Sequence, residues 1–463
     1  MALTRVLLGF GVILIIIAAA MTGPMALAFA LGEESAGSYL FGAVITLFAG
    51  LGALSAGSAR KGASDFRSAL IIIMLWWVGA PAFAAIPLAH DLGNFGDAYF
   101  EAVSALTTTG AWLSQEAIPK SPASLLWRAE LQWLGGLASL TIAAAIFIRP
   151  TFIGIDTLLP PFSRGDEASY LHPLRNAVTA FLPVYSFITF IAFIAIALAG
   201  APVLDAAVMA MSIVATGGMA PHEAGIAGYP PIVSAVIFPL MVLSGANFVL
   251  IARVLRGDAA RVRDIESGAY ILIVVWVGVL FWVFAGAENL TFAAPAFFNA
   301  ASVVSTSGYV IGQPPPLIPV LITAMIGAAA VSTAGGFKII RWLVITRRAR
   351  EEIRRITAPK AVFGASQVTN ELGVWMHFLV FTLILGVLLI CFAVGGHPIE
   401  TAATAAVAAF SNAGPLLALA DGASGDYAMF DGPLKAVLIV GMILGRLEAA
   451  VALALVNLAF WRS

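Results

Sequence analysis

Four short stretches of hydroxyl-bearing and small residues interrupt an otherwise very apolar chain: Thr107-Thr108-Thr109-Gly110, Ala215-Thr216-Gly217-Gly218, Ser305-Thr306-Ser307-Gly308 and Ser411-Asn412-Ala413-Gly414. None carries a charge, so what they offer is backbone. Glycine lets a chain turn its carbonyl through dihedrals closed to other residues. A ring of carbonyls can replace the hydration shell of a cation without adding fixed charge, which lets the ion leave again. Read with Gly110, Gly217, Gly308 and Gly414 as key glycines, the stretches recur at intervals of 107, 91 and 106 residues. Backbone that leaves its helix at membrane depth is tolerated only where it is buried in protein or lines a water-filled path. One such stretch alone reads equally well as a contact of small residues between helices. Four at near-constant spacing predict a cation filter, with backbone carbonyls of Thr108, Thr109, Gly110, Ala215, Thr216, Gly217, Thr306, Ser307, Gly308, Asn412, Ala413 and Gly414 as its lining.

Holding such a ring demands helices at membrane depth, and the composition supplies them. The 463 residues are 61% hydrophobic and 11% charged, against about 25% charged in a soluble domain. The net charge of −1 excludes a polybasic nucleic-acid binder. Cys391 is the only cysteine, so no intramolecular disulfide can form, and the five histidines show no metal-ligand spacing. No zinc motif, nucleophile elbow or catalytic dyad is present; the expectation is a transporter rather than an enzyme, with no bound cofactor.

The apolar runs predict ten spans and four half-spans. An N-terminal pair covers about 5–31 and 37–59, the first read as a retained helix rather than a signal peptide. Thereafter a span, a short re-entrant helix, a polar stretch and a second span repeat four times. The outer helices fall near 68–89, 174–199, 267–286 and 372–395, and the re-entrant ones near 95–106, 202–213, 291–304 and 398–410. The second long helices fall near 122–148, 229–255, 316–345 and 432–460. The expected fold is all-α and integral to the membrane, with four tandem helix–pore loop–helix units in pseudo-four-fold arrangement around one pore. Its divisions are 1–62 for the extra pair, then 63–165, 166–263, 264–360 and 361–463. With the N-terminus inside, every Lys and Arg except Lys120, Arg128, Lys338, Lys435 and Arg446 lies on the inner side. That is a positive-inside pattern, and it places the four stretches on paths from the outside. Asp97, Glu101, Asp205 and Glu400 are expected to form an acidic outer mouth that concentrates cations.

Asp97-Ala98-Tyr99-Phe100-Glu101-Ala102-Val103-Ser104 followed by Thr107-Thr108-Thr109-Gly110-Ala111 resembles the first pore loop of the TrkH/KtrB superfamily. These are bacterial potassium-uptake proteins, related to the fungal Trk and plant HKT transporters. Gln132-Trp133-Leu134-Gly135-Gly136, Ser332-Thr333-Ala334-Gly335-Gly336-Phe337-Lys338 and Gly445-Arg446-Leu447-Glu448 resemble three further signatures. The resemblance spans the whole chain, and the extra helix pair places it with the TrkH type. It implies potassium uptake through the bacterial inner (cytoplasmic) membrane, driven by membrane potential, with Gly110, Gly217, Gly308 and Gly414 as filter glycines. Four glycines go with potassium preference in the family; a sodium-permeable or poorly selective transporter is the alternative on the same scaffold. The chain departs from the family pattern at Ala215, Met219, Ser307 and Leu416.

Three further features each read two ways. Arg446, inside an apolar helix, marks an ion path or a buried ion pair; the resemblance makes it a barrier beneath the filter. The run Gly327 to Gly336 either permits close helix packing or, by resemblance, forms a gating loop in which Gly335 and Gly336 bend and Lys338 holds the shut state. The basic cluster Arg347 to Lys360 either sets topology or docks a regulator. The resemblance implies a homodimer and a ring of cytosolic nucleotide-binding TrkA-type subunits. No GxxxxGK[ST] loop occurs here, so nucleotide would act only through such a partner.

Overall fold

The computed structural model describes residues 2–58, 66–113, 121–147, 171–222, 224–257, 264–287, 289–357, 371–420 and 426–447. Lys120, Lys360, Glu448 and the 448–460 part of the expected last helix lie outside the described residues. The regular structure among the described residues is helical, as a chain in lipid requires when each segment must satisfy its own backbone; the only β-type contact is an isolated bridge between Trp112 and Asp426.

Six described helices are long and apolar enough to cross a membrane: Leu3–Leu31, Ala36–Ser58, Arg67–Leu92, Leu174–Leu198, Ile265–Gly286 and Gly373–Val394. The first two are the N-terminal pair; the other four are the outer helices of the repeating units. Between each outer helix and the following long helix lies a re-entrant helix: Phe95–Leu106, Val203–Val214, Ala293–Val304 and Ile399–Phe410, each of 12 residues. At 1.5 Å per residue they reach about 18 Å, little more than half of a bilayer core. Asn94 caps the first by accepting from the Asp97 N–H at 2.8 Å, and Pro202 and Pro398 occupy the same position in the second and fourth.

The second long helices are Pro122–Phe147, Pro231–Gly245 with Phe248–Leu255, Leu317–Ile326 with Ile339–Thr357, and Gly432–Leu447. Two of them depart from expectation. The span expected near 229–255 is bent by 105° between Gly245 and Phe248. The span expected near 316–345 is interrupted from Gly327 to Lys338. The two breaks satisfy each other: Phe248 N–H donates to Val331 O at 2.8 Å, and Ala329 N–H to Gly245 O at 3.1 Å. Hydropathy alone does not register a break whose freed backbone groups are paired elsewhere.

Glu101 and Arg128 are both fully buried and form an ion pair. Arg128 Nε donates to Glu101 Oε2 at 2.5 Å, and Glu101 Oε1 accepts from the Leu113 N–H at 3.2 Å. The pair therefore ties the first re-entrant helix to its neighbour and to the chain beyond the first polar stretch. Removing one partner leaves a buried charge unpaired, which costs about 3–5 kcal/mol. Glu101→Leu is expected to lower the unfolding temperature of detergent-purified protein sharply, and Glu101→Leu with Arg128→Met to restore most of the loss. Equal melting of the single and parent proteins would refute this role.

Candidate functional site

The four re-entrant helices end in one way. The first residue past each helix (Thr107, Ala215, Ser305, Ser411) still donates four residues back, to Val103, Met211, Ala301 and Val407, at 2.8, 3.1, 3.0 and 2.8 Å. The second is left-handed without being glycine: φ is 53° at Thr108, 58° at Thr216, 58° at Thr306 and 51° at Asn412. The third donates five residues back, to the carbonyls of Ser104, Ser212, Ser302 and Ala408, at 2.8, 2.7, 2.9 and 2.8 Å. This is a Schellman closure with a bulky residue where glycine is usual. A left-handed β-branched residue costs of order 1–3 kcal/mol and persists only where its surroundings hold it.

The fourth residues of these segments are Gly110, Gly218, Gly308 and Gly414. Gly218, not Gly217, is therefore the equivalent of the other three, and Gly217 matches Thr109, Ser307 and Ala413. Adjacent glycines hide the register in the composition of the stretch, but a signal outside it exists. Ser104, Ser212 and Ser302 stand six residues before Gly110, Gly218 and Gly308. The Oγ atoms of Ser104 and Ser212 accept from the N–H of Ala111 and Met219, both at 2.7 Å.

The segments meet in a closed ring. A Cβ on Gly110 would lie 2.0 Å from Gly217 O, and one on Gly218 would lie 2.0 Å from Ser307 O. One on Gly308 would meet Pro415 at 2.9 Å, and Gly414 N–H donates to Thr109 O at 2.6 Å. First touches second, second third, third fourth, and fourth first. Gln132 Nε2 donates to Gly217 O at 3.0 Å, and Tyr427 Oη to Gly414 O at 2.8 Å. Each of these carbonyls has two lone pairs, so one remains for a cation.

On the inner side three of the left-handed residues, Thr108, Thr306 and Asn412, hold the next layer, while Thr216 Oγ1 donates to its neighbour Ala215 O at 2.7 Å. Arg446 Nε donates to Thr107 O at 2.7 Å, and its guanidinium also reaches Thr108 Oγ1. Its other arm donates to Thr333 O at 2.7 Å and Ala334 O at 3.4 Å. Among the described residues Arg446 is held by carbonyls and a hydroxyl, and no carboxylate pairs with it there. Thr306 Oγ1 accepts from the Gly335 N–H at 2.9 Å, and Asn412 Nδ2 donates to Thr109 Oγ1 at 3.0 Å and Met442 O at 2.9 Å. The segment 327–338 passes directly under the ring: a Cβ on Gly335 would lie 1.9 Å from Ser411 O. Gly336 and Lys338 are left-handed there, with φ 74° and 78°. Lys338 Nζ donates to Ala334 O and lies 3.4 Å from both Ser332 O and Ser332 Oγ. Beneath it is a cavity whose walls include Ser332, Gly335, Lys338, Arg341, His377 and Arg446.

The expected acidic mouth is partly corrected. Glu101 faces Arg128 in the interior and offers nothing to the outside. Asp97 pairs with Lys435 at 2.6 Å. Burial opposes its ionisation, but hydrogen bonds from Asn94 and Lys435 and the charge of Lys435 outweigh burial and hold the carboxyl below its ordinary value. Asp205 accepts from Tyr229 Oη at 2.8 Å. Glu400 is exposed.

The profile of the TrkH family, described as a cation transport protein, matches residues 39–270 and 288–458. The chain is 30% identical over 430 residues to the Trk system potassium uptake protein TrkH of Salmonella typhimurium, covering 87% of this chain and 88% of that one. It is 31% identical over 415 residues to TrkI of Halomonas elongata, covering 85% and 83%. The crystal structure of the potassium transporter TrkH from Vibrio parahaemolyticus superposes with a TM-score of 0.87 at 26% identity, covering 100% of both chains. The chain belongs to the TrkH family of cation transport proteins and is a multi-pass inner-membrane protein, not an enzyme.

Proposed function

We propose that this chain carries potassium into the cell through the ring formed by the four segments, down the membrane potential. An inside-negative 100 mV is worth about 2.3 kcal/mol per charge, enough for roughly 50-fold accumulation without chemical coupling. The observation that carries this reading is the closure of four equivalent helix ends on one another, with a buried arginine directly beneath. In it the carbonyls of Thr108 to Gly110, Thr216 to Gly218, Thr306 to Gly308 and Asn412 to Gly414 dehydrate the ion. The C-terminal ends of the re-entrant helices add partial negative charge. Arg446 opposes the passing cation electrostatically, and 327–338 is the gate. The potassium-uptake names of the relatives support the choice of ion.

Regulation in this reading falls to a cytosolic nucleotide-binding subunit of TrkA type. Its docking surface is the basic helix that runs on to Thr357. Arg347, Arg348, Arg350, Arg354 and Arg355 outnumber Glu351 and Glu352 there, and Arg347 is 78% exposed although it lies 3.2 Å from Glu351. The assembly in this reading is a homodimer with one pore per subunit.

Two experiments test the reading. In proteoliposomes the parent is expected to take up potassium in preference to sodium. Gly110→Ser and Gly218→Ser each force a side chain against a neighbouring carbonyl 2.0 Å away, so potassium preference should fall on the order of tenfold, about 1.4 kcal/mol. Equal sodium and potassium flux in the parent would replace the reading with a poorly selective cation transporter. Arg446→Ala is expected to raise potassium flux several-fold at equal protein content; flux unchanged or lowered would remove Arg446 as the barrier.

A further inference from the structure

Glu266 lies in the first turn of the helix Ile265–Gly286 and is 1% exposed. The backbone at Ala330, the fourth residue of the segment 327–338, donates its N–H to Glu266 Oε1 at 2.6 Å. Asn247, at the bend of the second unit's broken helix, donates Nδ2 to Glu266 Oε2 at 3.3 Å. The orientation of that amide is fixed, because Asn247 Oδ1 accepts from the Val249 N–H at 3.0 Å. The Glu266 N–H is itself engaged by Asp264 Oδ1 at 3.3 Å. One buried carboxylate therefore touches both helix breaks at the place where they pair through Val331 and Gly245. Burying an acid in an apolar outer helix is expensive unless it is partnered.

We infer that Glu266 is a latch: a positioning residue that holds the segment 327–338 in its shut arrangement by joining Ala330 to the bend at Asn247. The inference rests on the gate reading above. For the segment to leave the axis, the Ala330 N–H must part from Oε1. That bond thus belongs to the shut arrangement alone, and removing it shifts the balance toward open. A hydrogen bond to a buried carboxyl is strong enough to set that balance, since leaving its buried donor unpaired changes an equilibrium roughly tenfold. Asn247 acts with it by keeping the carboxylate aimed at the segment. A glutamine at 266 retains an acceptor for the Ala330 N–H, so it should loosen the latch less than an alanine does.

The test is rubidium uptake into proteoliposomes by the parent, Glu266→Ala, Glu266→Gln, Asn247→Ala and Arg446→Ala, at equal amounts of protein of unchanged size-exclusion profile. Expected is a graded rise, largest for Glu266→Ala at about tenfold and smaller for Glu266→Gln, with the rubidium-to-sodium ratio held at the parent value. Asn247→Ala provides the check should Glu266→Ala fail to fold, because it weakens the same joint without removing the buried acid's main partner. A role in packing alone would lower stability and flux without the order alanine, glutamine, parent. Flux raised by Arg446→Ala but unchanged or lowered in the Glu266 and Asn247 variants overturns the latch and leaves the transport reading standing. Absence of cation flux in all five proteins overturns the transport reading, and the latch with it.

Discussion

Every peptide group at membrane depth must find a partner inside the protein, and this constraint organises the molecule. Ordinary spans meet it within themselves. The re-entrant helices cannot, since they stop near the middle of the bilayer, and each closes its last carbonyls with the same pair of backward hydrogen bonds around a left-handed residue. Thr108, Thr216 and Thr306 are costly choices for that conformation, which Asn412 adopts more readily. Glycine would relieve the strain but at 108, 306 and 412 would also delete the side chains that reach Arg446, Gly335, Met442 and Thr109. The strain at the helix ends and the support of the inner layer are one arrangement.

The same constraint explains why two helices break in concert. A bend of 105° frees backbone groups that lipid cannot satisfy. Here they pair with groups freed by the interruption from Gly327 to Lys338. Neither irregularity is stable alone, so the position of one fixes the position of the other. Arg446 adds a second cross-link, from the last helix to both the first helix end and the interrupted segment.

Much of this was legible in the sequence, and the reasons for the exceptions are physical. The re-entrant helices expected at 95–106, 202–213 and 398–410 are found at Phe95–Leu106, Val203–Val214 and Ile399–Phe410, because an apolar run ending in hydroxyls and glycine bounds a short helix sharply. The bend near Ala246 escaped because hydropathy averages over it; Gly245 and Asn247 were its only local marks. Glu101 reads as a mouth acid by its place near the outer end, and only the fold brings Arg128 against it. The neighbouring glycines at 217 and 218 look alike within their stretch; the serine six residues before Gly218 and the left-handed turn at Thr216 both single out Gly218. Neither Gln132 nor Tyr427 stands near a polar stretch in sequence, so their bonds to Gly217 O and Gly414 O come from tertiary packing alone.

The ring is made from one polypeptide, and its quarters are unequal. Ser104, Ser212 and Ser302 have Ala408 as their counterpart, and Pro415 stands where the other stretches carry Ala111, Met219 and Tyr309. In an assembly of four identical subunits any substitution alters four places at once, so its effect arrives all together or not at all. A covalently joined ring can instead change by one quarter at a time. Inheritance can therefore adjust such a protein in small steps, keeping three quarters of a working arrangement while the remaining one is tried.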